Sequence, residues 1–290
     1  TAAKASNYGG SNCVDVSGPL NLEEISKKAE LLTAGIVGHG VKLPLTTNLS
    51  AKACQEIASA FESMGLIPIA GPAAAGVSEN TAITPGGVLA LPICSGDIRM
   101  SVVGTTTEVV GDRVYGFGHS FTGNGAVEFP MSAGTVHTVV ATRSTSFKLA
   151  SPGQIIGTLR FDQNTGVVGI VGPVPELINL EIKVRRHDDP QERIYHCKVA
   201  QDRQLTPQVL RSAILGAALN QGELPPEHNV RYQCELLLAG GNRLKFDNFS
   251  TEESVLAPAA NTFALTAALM NNPYQCMVPQ KVSVEIDICR

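Results

Sequence analysis

Val88-Leu89-Ala90-Leu91, Met100-Ser101-Val102-Val103, Thr107-Glu108-Val109-Val110, residues 135–142, residues 155–161 and Val167-Val168-Gly169-Ile170-Val171 are short apolar runs. Turn signals separate them: Gly96-Asp97, Gly111-Asp112, Asn124-Gly125 and Pro152-Gly153. Short β-branched segments broken by Gly- and Pro-containing turns are what a β-barrel or sandwich requires. A helical bundle would instead show apolar residues recurring every three to four positions. The region 88–174 therefore predicts a β-rich unit, and the rest of the chain is read outward from it.

Upstream, residues 1–40 read as a linker and a short helix. Thr1 to Asn12 is small, polar and Gly/Ser/Ala-rich, with neither Met nor an apolar leader. This is expected to be a trimmed linker. Residues 20–33 carry apolar positions at helical spacing, with Gly35 just beyond. A strand is predicted over Val41 to Leu45, then a helix over Ala51–Met64 capped by Ser50, and a strand at Leu66–Ile69. Residues 41–174 thus form one expected β-rich domain, barrel-like with a helix outside it.

Downstream, residues 175–290 are expected to form a second β-rich, sandwich-like module with helical insertions. Strands are predicted at Leu180–Arg186, Arg193–Ala200, Val230–Leu238 and Arg243–Phe249. A helix is predicted over Pro207–Leu219, with Thr206 as its cap, and another over Ala257–Met270. The alternation of Val282, Val284, Ile286 and Ile288 marks a final strand with one buried face. The fold class is mainly β with a few helices, α+β.

Composition narrows the functions. The 290 residues are 43% hydrophobic, with 28 Gly, 17 Pro, no Trp and a net charge of −4. A negative chain without a basic patch argues against a broad grip on nucleic acid, and no apolar run is long enough to span a membrane. None of the seven cysteines falls in a C-x-x-C pair, and no His pair has zinc-finger spacing, so no metal is expected. Cys197, Cys234, Cys276 and Cys289 lie close enough in sequence for one or two disulfides in an oxidising compartment. The Gly-rich residues 71–76 lack the Lys-Ser/Thr of a phosphate loop, so no nucleotide cofactor is expected.

One segment stands out: Gly111-Asp112-Arg113-Val114-Tyr115-Gly116-Phe117-Gly118-His119-Ser120-Phe121, followed by Glu128-Phe129-Pro130-Met131. His119 closes a Gly-x-Gly turn at the end of a strand, where one ring nitrogen can be fixed while the other faces a cleft. General-base work needs that arrangement, and so does a histidine that merely bonds a loop carbonyl. His39, in Gly38-His39-Gly40, lacks the surrounding motif and reads as a loop residue, while His137 is expected to be half-buried in a strand. An N-terminal Thr1 nucleophile is set aside because Thr1 heads a tail.

This segment, with Val136-His137-Thr138-Val139, the run Ser146-Phe147-Lys148-Leu149-Ala150-Ser151-Pro152, and Gly157-Thr158-Leu159 through Asp162 to Gly166, resembles the SpoIVB-type serine peptidase domain. The resemblance covers about Val41 to Gly172. It implies a serine-type endopeptidase acting on a protein or peptide in an extracytoplasmic compartment, with His119 as general base. The family's nucleophile motif, Gly-Met-Ser-Gly-Ser-Pro, does not occur; Gly9-Gly10-Ser11-Asn12 lacks its Met and Pro. The nucleophile is then expected upstream or on a partner subunit, this chain being the histidine-bearing fragment. Ser120, beside the base in sequence, is a weaker nucleophile candidate, because triad partners usually meet by folding. Glu128 and Asp97 are candidate orienting acids, and Asp162 lies in a matching stretch but suits a turn. The alternative is a peptidase-like domain without chemistry, acting as a binding module of an extracytoplasmic assembly.

Overall fold

The computed structural model describes residues 43–71, 82–141, 146–220, 222, 224, 227–251 and 255–289. Thr1, Ser11, His39, the helix predicted over 20–33 and nearly all of the Gly-rich loop 71–76 lie outside the described residues. Among the described residues the fold is mainly β, with three α-helices and thirteen strands in one sheet. The strands are β1 Leu43–Thr47, β2 Leu66–Ala70, β3 Val88–Gly96, β4 Met100–Val110, β5 Arg113–Gly116, β6 Gly125–Ala141, β7 Ser146–Gln163 and β8 Gly166–Val171. They continue as β9 Leu177–Arg186, β10 Asp189–Ala200, β11 Asn229–Leu238, β12 Arg243–Ser250 and β13 Pro279–Cys289. The helices are α1 Ala51–Glu62, α2 Leu205–Leu219 and α3 Leu256–Met270.

The order is β12-β11-β13-β9-β10-β3-β6-β7-β8-β5-β4-β1-β2, with a further pairing between β3 and β4. That extra pairing closes β3-β6-β7-β8-β5-β4 into a ring. One side of the ring is a long antiparallel ladder from Val88 opposite Thr105 to Cys94 opposite Met100, and the closing contact to β6 is the single bridge Ala90 to Ser132. Inside it sit Leu89, Leu91, Val102, Val114, Phe129, Met131, Leu159 and Val167, all buried. Several short runs of the sequence prove to be parts of longer strands. Met100–Val103 and Thr107–Val110 are one strand, and β6 and β7 run 17 and 18 residues by absorbing bulges. A bulge bends a strand without ending it, so a long strand reads as broken apolar runs.

The C-terminal half is not a sandwich. Strands β9 to β13 extend the same sheet through β10, whose Cys197–Val199 pairs with Cys94–Gly96 of β3. Helices rather than a second sheet cover the buried face. Helix α2 is buried on nearly every side, and packs against β9, β10, α1 and α3. A Leu/Ile/Ala helix apolar round nearly all of its circumference, with only Gln208 and Arg211 partly exposed, is the kind that sits inside a protein. Val282, Val284, Ile286 and Ile288 are buried as the alternation requires. The hydrogen-bonded sheet runs straight across the boundary predicted at residue 174.

Local signals at the helix ends are mostly as predicted. The Ser50 hydroxyl accepts from the Ala53 N–H at 3.3 Å, and Gly65 takes φ +75° just past α1. The cap of α2 differs: Asp202 Oδ1 accepts from the N–H groups of Gln204 and Leu205, at 2.9 and 2.7 Å. Thr206 instead completes the turn from inside, accepting from the Asp202 N–H and donating to the Ala200 carbonyl, both at 2.7 Å. The six described cysteines are free thiols. Cys94 and Cys197 meet at the β3–β10 seam around Ile98, whose carbonyl accepts from Cys94 at 3.3 Å and whose N–H donates to Cys197 at 3.4 Å. The hydrogen bond between the two thiols raises Cys94 well above the ordinary thiol range and lowers Cys197.

Candidate functional site

The loop bearing His119 leaves β5 through a turn that most residues avoid. The Gly118 N–H donates to the Gly116 carbonyl at 2.9 Å, across Phe117 at φ +69°. An i→i+2 bond around a positive central φ is a strained γ-turn, and Phe117 is the one described non-glycine residue with positive φ. Its N–H donates to Thr105, and its ring lies over the backbone of Gly104, where a Cβ would come within 2.2 Å of Cδ1. Strain held in place by surrounding contacts clusters at functional sites.

His119 follows, partly exposed, its ring 5.6 Å from that of Phe117. Nδ1 lies 2.8 Å from the Ser120 carbonyl. A carbonyl can only accept, so Nδ1 carries a hydrogen, and the neutral tautomer compatible with this bond has its lone pair at Nε2. The Gly-His turn of the sequence therefore does fix one nitrogen, through a backbone carbonyl rather than an acid.

Asp162 holds the rest of the loop. Its side chain is fully buried. Oδ1 accepts from the Phe121 N–H at 2.7 Å; Oδ2 accepts from the N–H groups of Thr122 and Gly123, at 2.5 and 2.8 Å, and from the Thr122 hydroxyl at 2.8 Å. A carboxylate with this many donors shapes a loop. Asp162 thus holds the loop that follows the histidine and makes no hydrogen bond to its ring.

The other sequence candidates are placed elsewhere. Glu128 is exposed and ion-paired with Arg160, both lining a cleft of about 950 Å³ with Phe161 and Arg203. Asp97 ties the β3–β4 turn to β10: Oδ2 accepts from the His196 N–H at 2.7 Å, and its own N–H donates to the His196 carbonyl at 3.0 Å. Neither carboxylate bonds His119, whose hydrogen-bond partner among the described residues is the Ser120 carbonyl. Ser120 is half-buried and enters the site through that carbonyl rather than its hydroxyl.

The sequence reading missed one pair. His137 is exposed, not half-buried, and its Nε2 lies 2.7 Å from the Ser151 hydroxyl. The ladder runs from Val136 opposite Ala150 to Thr138 opposite Leu149, so His137 is the extra residue of a bulge and is turned out of the alternation. Both residues line a narrow cleft beside Arg99 and the ends of β1 and β2. Nothing in the Val-His-Thr-Val spacing signals the bulge.

No family model matches the chain, and no curated protein or solved structure matches it either.

Proposed function

We propose that this chain carries the general base of a SpoIVB-like serine endopeptidase, with the attacking serine supplied from outside the described residues or by another chain. The observation that carries the reading is His119, tautomer-fixed through Nδ1 beside a strained turn, with Nε2 left to accept a proton. In that reaction the serine oxygen attacks the scissile carbonyl carbon while Nε2 takes its proton. The proton then passes to the leaving amine as the C–N bond breaks, and water releases the acyl group by the same route. The extracytoplasmic setting and the peptide substrate follow from the same resemblance.

A second reading has an observation of its own. None of Asp97, Glu128 and Asp162 bonds His119, which suits a peptidase-like module that binds or assembles without cleaving. One experiment separates the two. A fluorophosphonate probe is applied to the chain alone and to the chain mixed with a segment bearing Gly-Met-Ser-Gly-Ser-Pro. The peptidase reading expects little labelling alone, labelling of the segment in the mixture, and its loss in His119→Ala at unchanged melting temperature. Absence of labelling in the mixture supports the module instead, and labelling that survives His119→Ala removes His119 as the base.

A further inference from the structure

The two ends of the sheet are finished differently. At one end β2 is buried along all five residues. At the other, β12 pairs with β11 alone among the described residues, and six of its eight residues are exposed. An exposed edge strand presents a row of unpaired backbone donors and acceptors, which templates another strand. This one carries no Pro and exposes Leu244 by 37% and Phe249 by 53%.

The register with β11 assigns its faces. Leu244, Phe246 and Asn248 lie opposite Leu236, Cys234 and Tyr232, which are buried under the helices. Arg243, Lys245, Asp247 and Phe249 lie on the open face. Arg243 is ion-paired with Glu235 at 3.0 Å, whereas neither Lys245 nor Asp247 makes an ion pair among the described residues.

We infer that β12 is the docking edge for a second copy of this chain, paired antiparallel about a two-fold axis at Phe246. Antiparallel partners directly opposite share a face, so this axis sets Lys245 against Asp247 of the second copy, and Asp247 against its Lys245. Arg243 faces Phe249, a cation–π pairing, and the two Phe246 rings meet on the helix side, next to the Tyr232 ring that each already contacts edge-on. Charge favours this register. Sliding one strand two residues one way sets Asp247 against Asp247 and Lys245 against Phe249; sliding it the other way sets Lys245 against Lys245 and brings to Asp247 only Arg243, which Glu235 already holds. The strand is therefore complementary to itself, which an isologous interface requires. It also gives Lys245 and Asp247, which make no ion pair among the described residues, partners of opposite charge. One strand per copy makes a small interface, so the association is weak and concentration-dependent.

The test is sedimentation equilibrium of the full chain from micromolar to near-millimolar concentration, at low and high salt. The expected species is a dimer of twice 30.5 kDa whose dissociation constant rises with salt. Lys245→Asp and Asp247→Lys, each placing like charges opposite at two symmetric points, should each weaken it about tenfold or more. The double variant Lys245→Asp/Asp247→Lys restores the pairing with its sign reversed and should recover most of the loss. Far-ultraviolet circular dichroism of all three variants checks that the exposed substitutions leave the fold intact. A monomer at every concentration overturns the inference. So does a dimer indifferent to the single charge reversals, or a double variant no better than either single one.

Discussion

Replacing Asp162 tests whether the His119 loop is held by one buried carboxylate. Asp162→Ala removes the acceptor of three backbone N–H groups and one hydroxyl. Charge-assisted bonds are worth about 1.5–3 kcal/mol each, but a simple sum over four overshoots, because freed donors regain water where they can reach it. Gly123 is exposed and Thr122 half-buried, so their N–H groups turn to solvent. Phe121 is buried, and its N–H is left stranded. One stranded donor at about 1–3 kcal/mol, with partial losses at the others, gives roughly 3–4 kcal/mol for Asp162→Ala. In Asp162→Asn the amide oxygen can keep Phe121, but its NH2 then faces the N–H groups of Thr122 and Gly123. The hydroxyl of Thr122 can reverse to accept, so roughly 2–3 kcal/mol is expected. Thr122→Val, which removes a single hydroxyl bond, should cost only about 1 kcal/mol. Urea unfolding followed by circular dichroism measures all three as shifts in midpoint at constant slope. The His119 Cε1–H resonance should move in the two Asp162 variants, because the Ser120 carbonyl that fixes Nδ1 precedes the released residues. Asp162 variants within about 0.5 kcal/mol of the parent, the range of ordinary surface changes, would refute the argument.

Two further perturbations probe the frame of the fold, one under this loop and one in β11. Gly104→Ala places a methyl within 2.2 Å of the Phe117 ring; overpacking of this kind should cost about 1–3 kcal/mol by thermal denaturation, and an unchanged melting temperature would show that the ring moves freely. Burial pushes the Cys234 thiol from 9.0 up to about 11. A folded value above the unfolded one favours the native state below pH 9 and loses that advantage as pH climbs to about 11. The urea midpoint should therefore fall across that window, less steeply in Cys234→Ala, and native alkylation at pH 9 should modify exposed Cys289 while sparing Cys234.

The sequence made the strands legible wherever burial was one-sided. In β13 and β11 a buried residue at every second position follows directly from a sheet with one covered face. What covers that face was not legible from the alternation, since a second sheet and a helix layer demand the same pattern. The discriminating signal lay in α2, where Leu, Ile, Ala and Gly continue round most of the helix, leaving only Gln208 and Arg211 partly exposed. Strand length was misread for a related reason. Bulges in β6 and β7 reset the alternation, so one strand looked like several runs. At the site, the Gly-x-Gly signal before His119 was readable because backbone conformation is local. The work of Asp162 was not, because its partners are backbone N–H groups some 40 residues away in sequence, and a backbone donor has no letter of its own. His137 was misplaced for the same reason as the long strands, a bulge turning it out of the alternation.

The two readings of His119 meet at Nδ1. In a serine triad the buried acid has two tasks: it fixes the imidazole tautomer and orientation, and it stabilises the imidazolium formed when the serine proton arrives. A backbone carbonyl performs the first task fully, since it can only accept and so holds the proton on Nδ1. It performs the second weakly, because a dipole offsets a positive ring less than a full negative charge does. Here the first task is met at 2.8 Å by Ser120, and the turn that aims the ring is over-determined by Gly104 beneath Phe117 and by Asp162 on the following residues. On the peptidase reading proposed above, His119 would be a base oriented in advance that still lacks a charge to stabilise its imidazolium. A serine-bearing segment that docks against this loop would therefore be expected to bring a carboxylate with it, or to work with a reduced rate for lack of one.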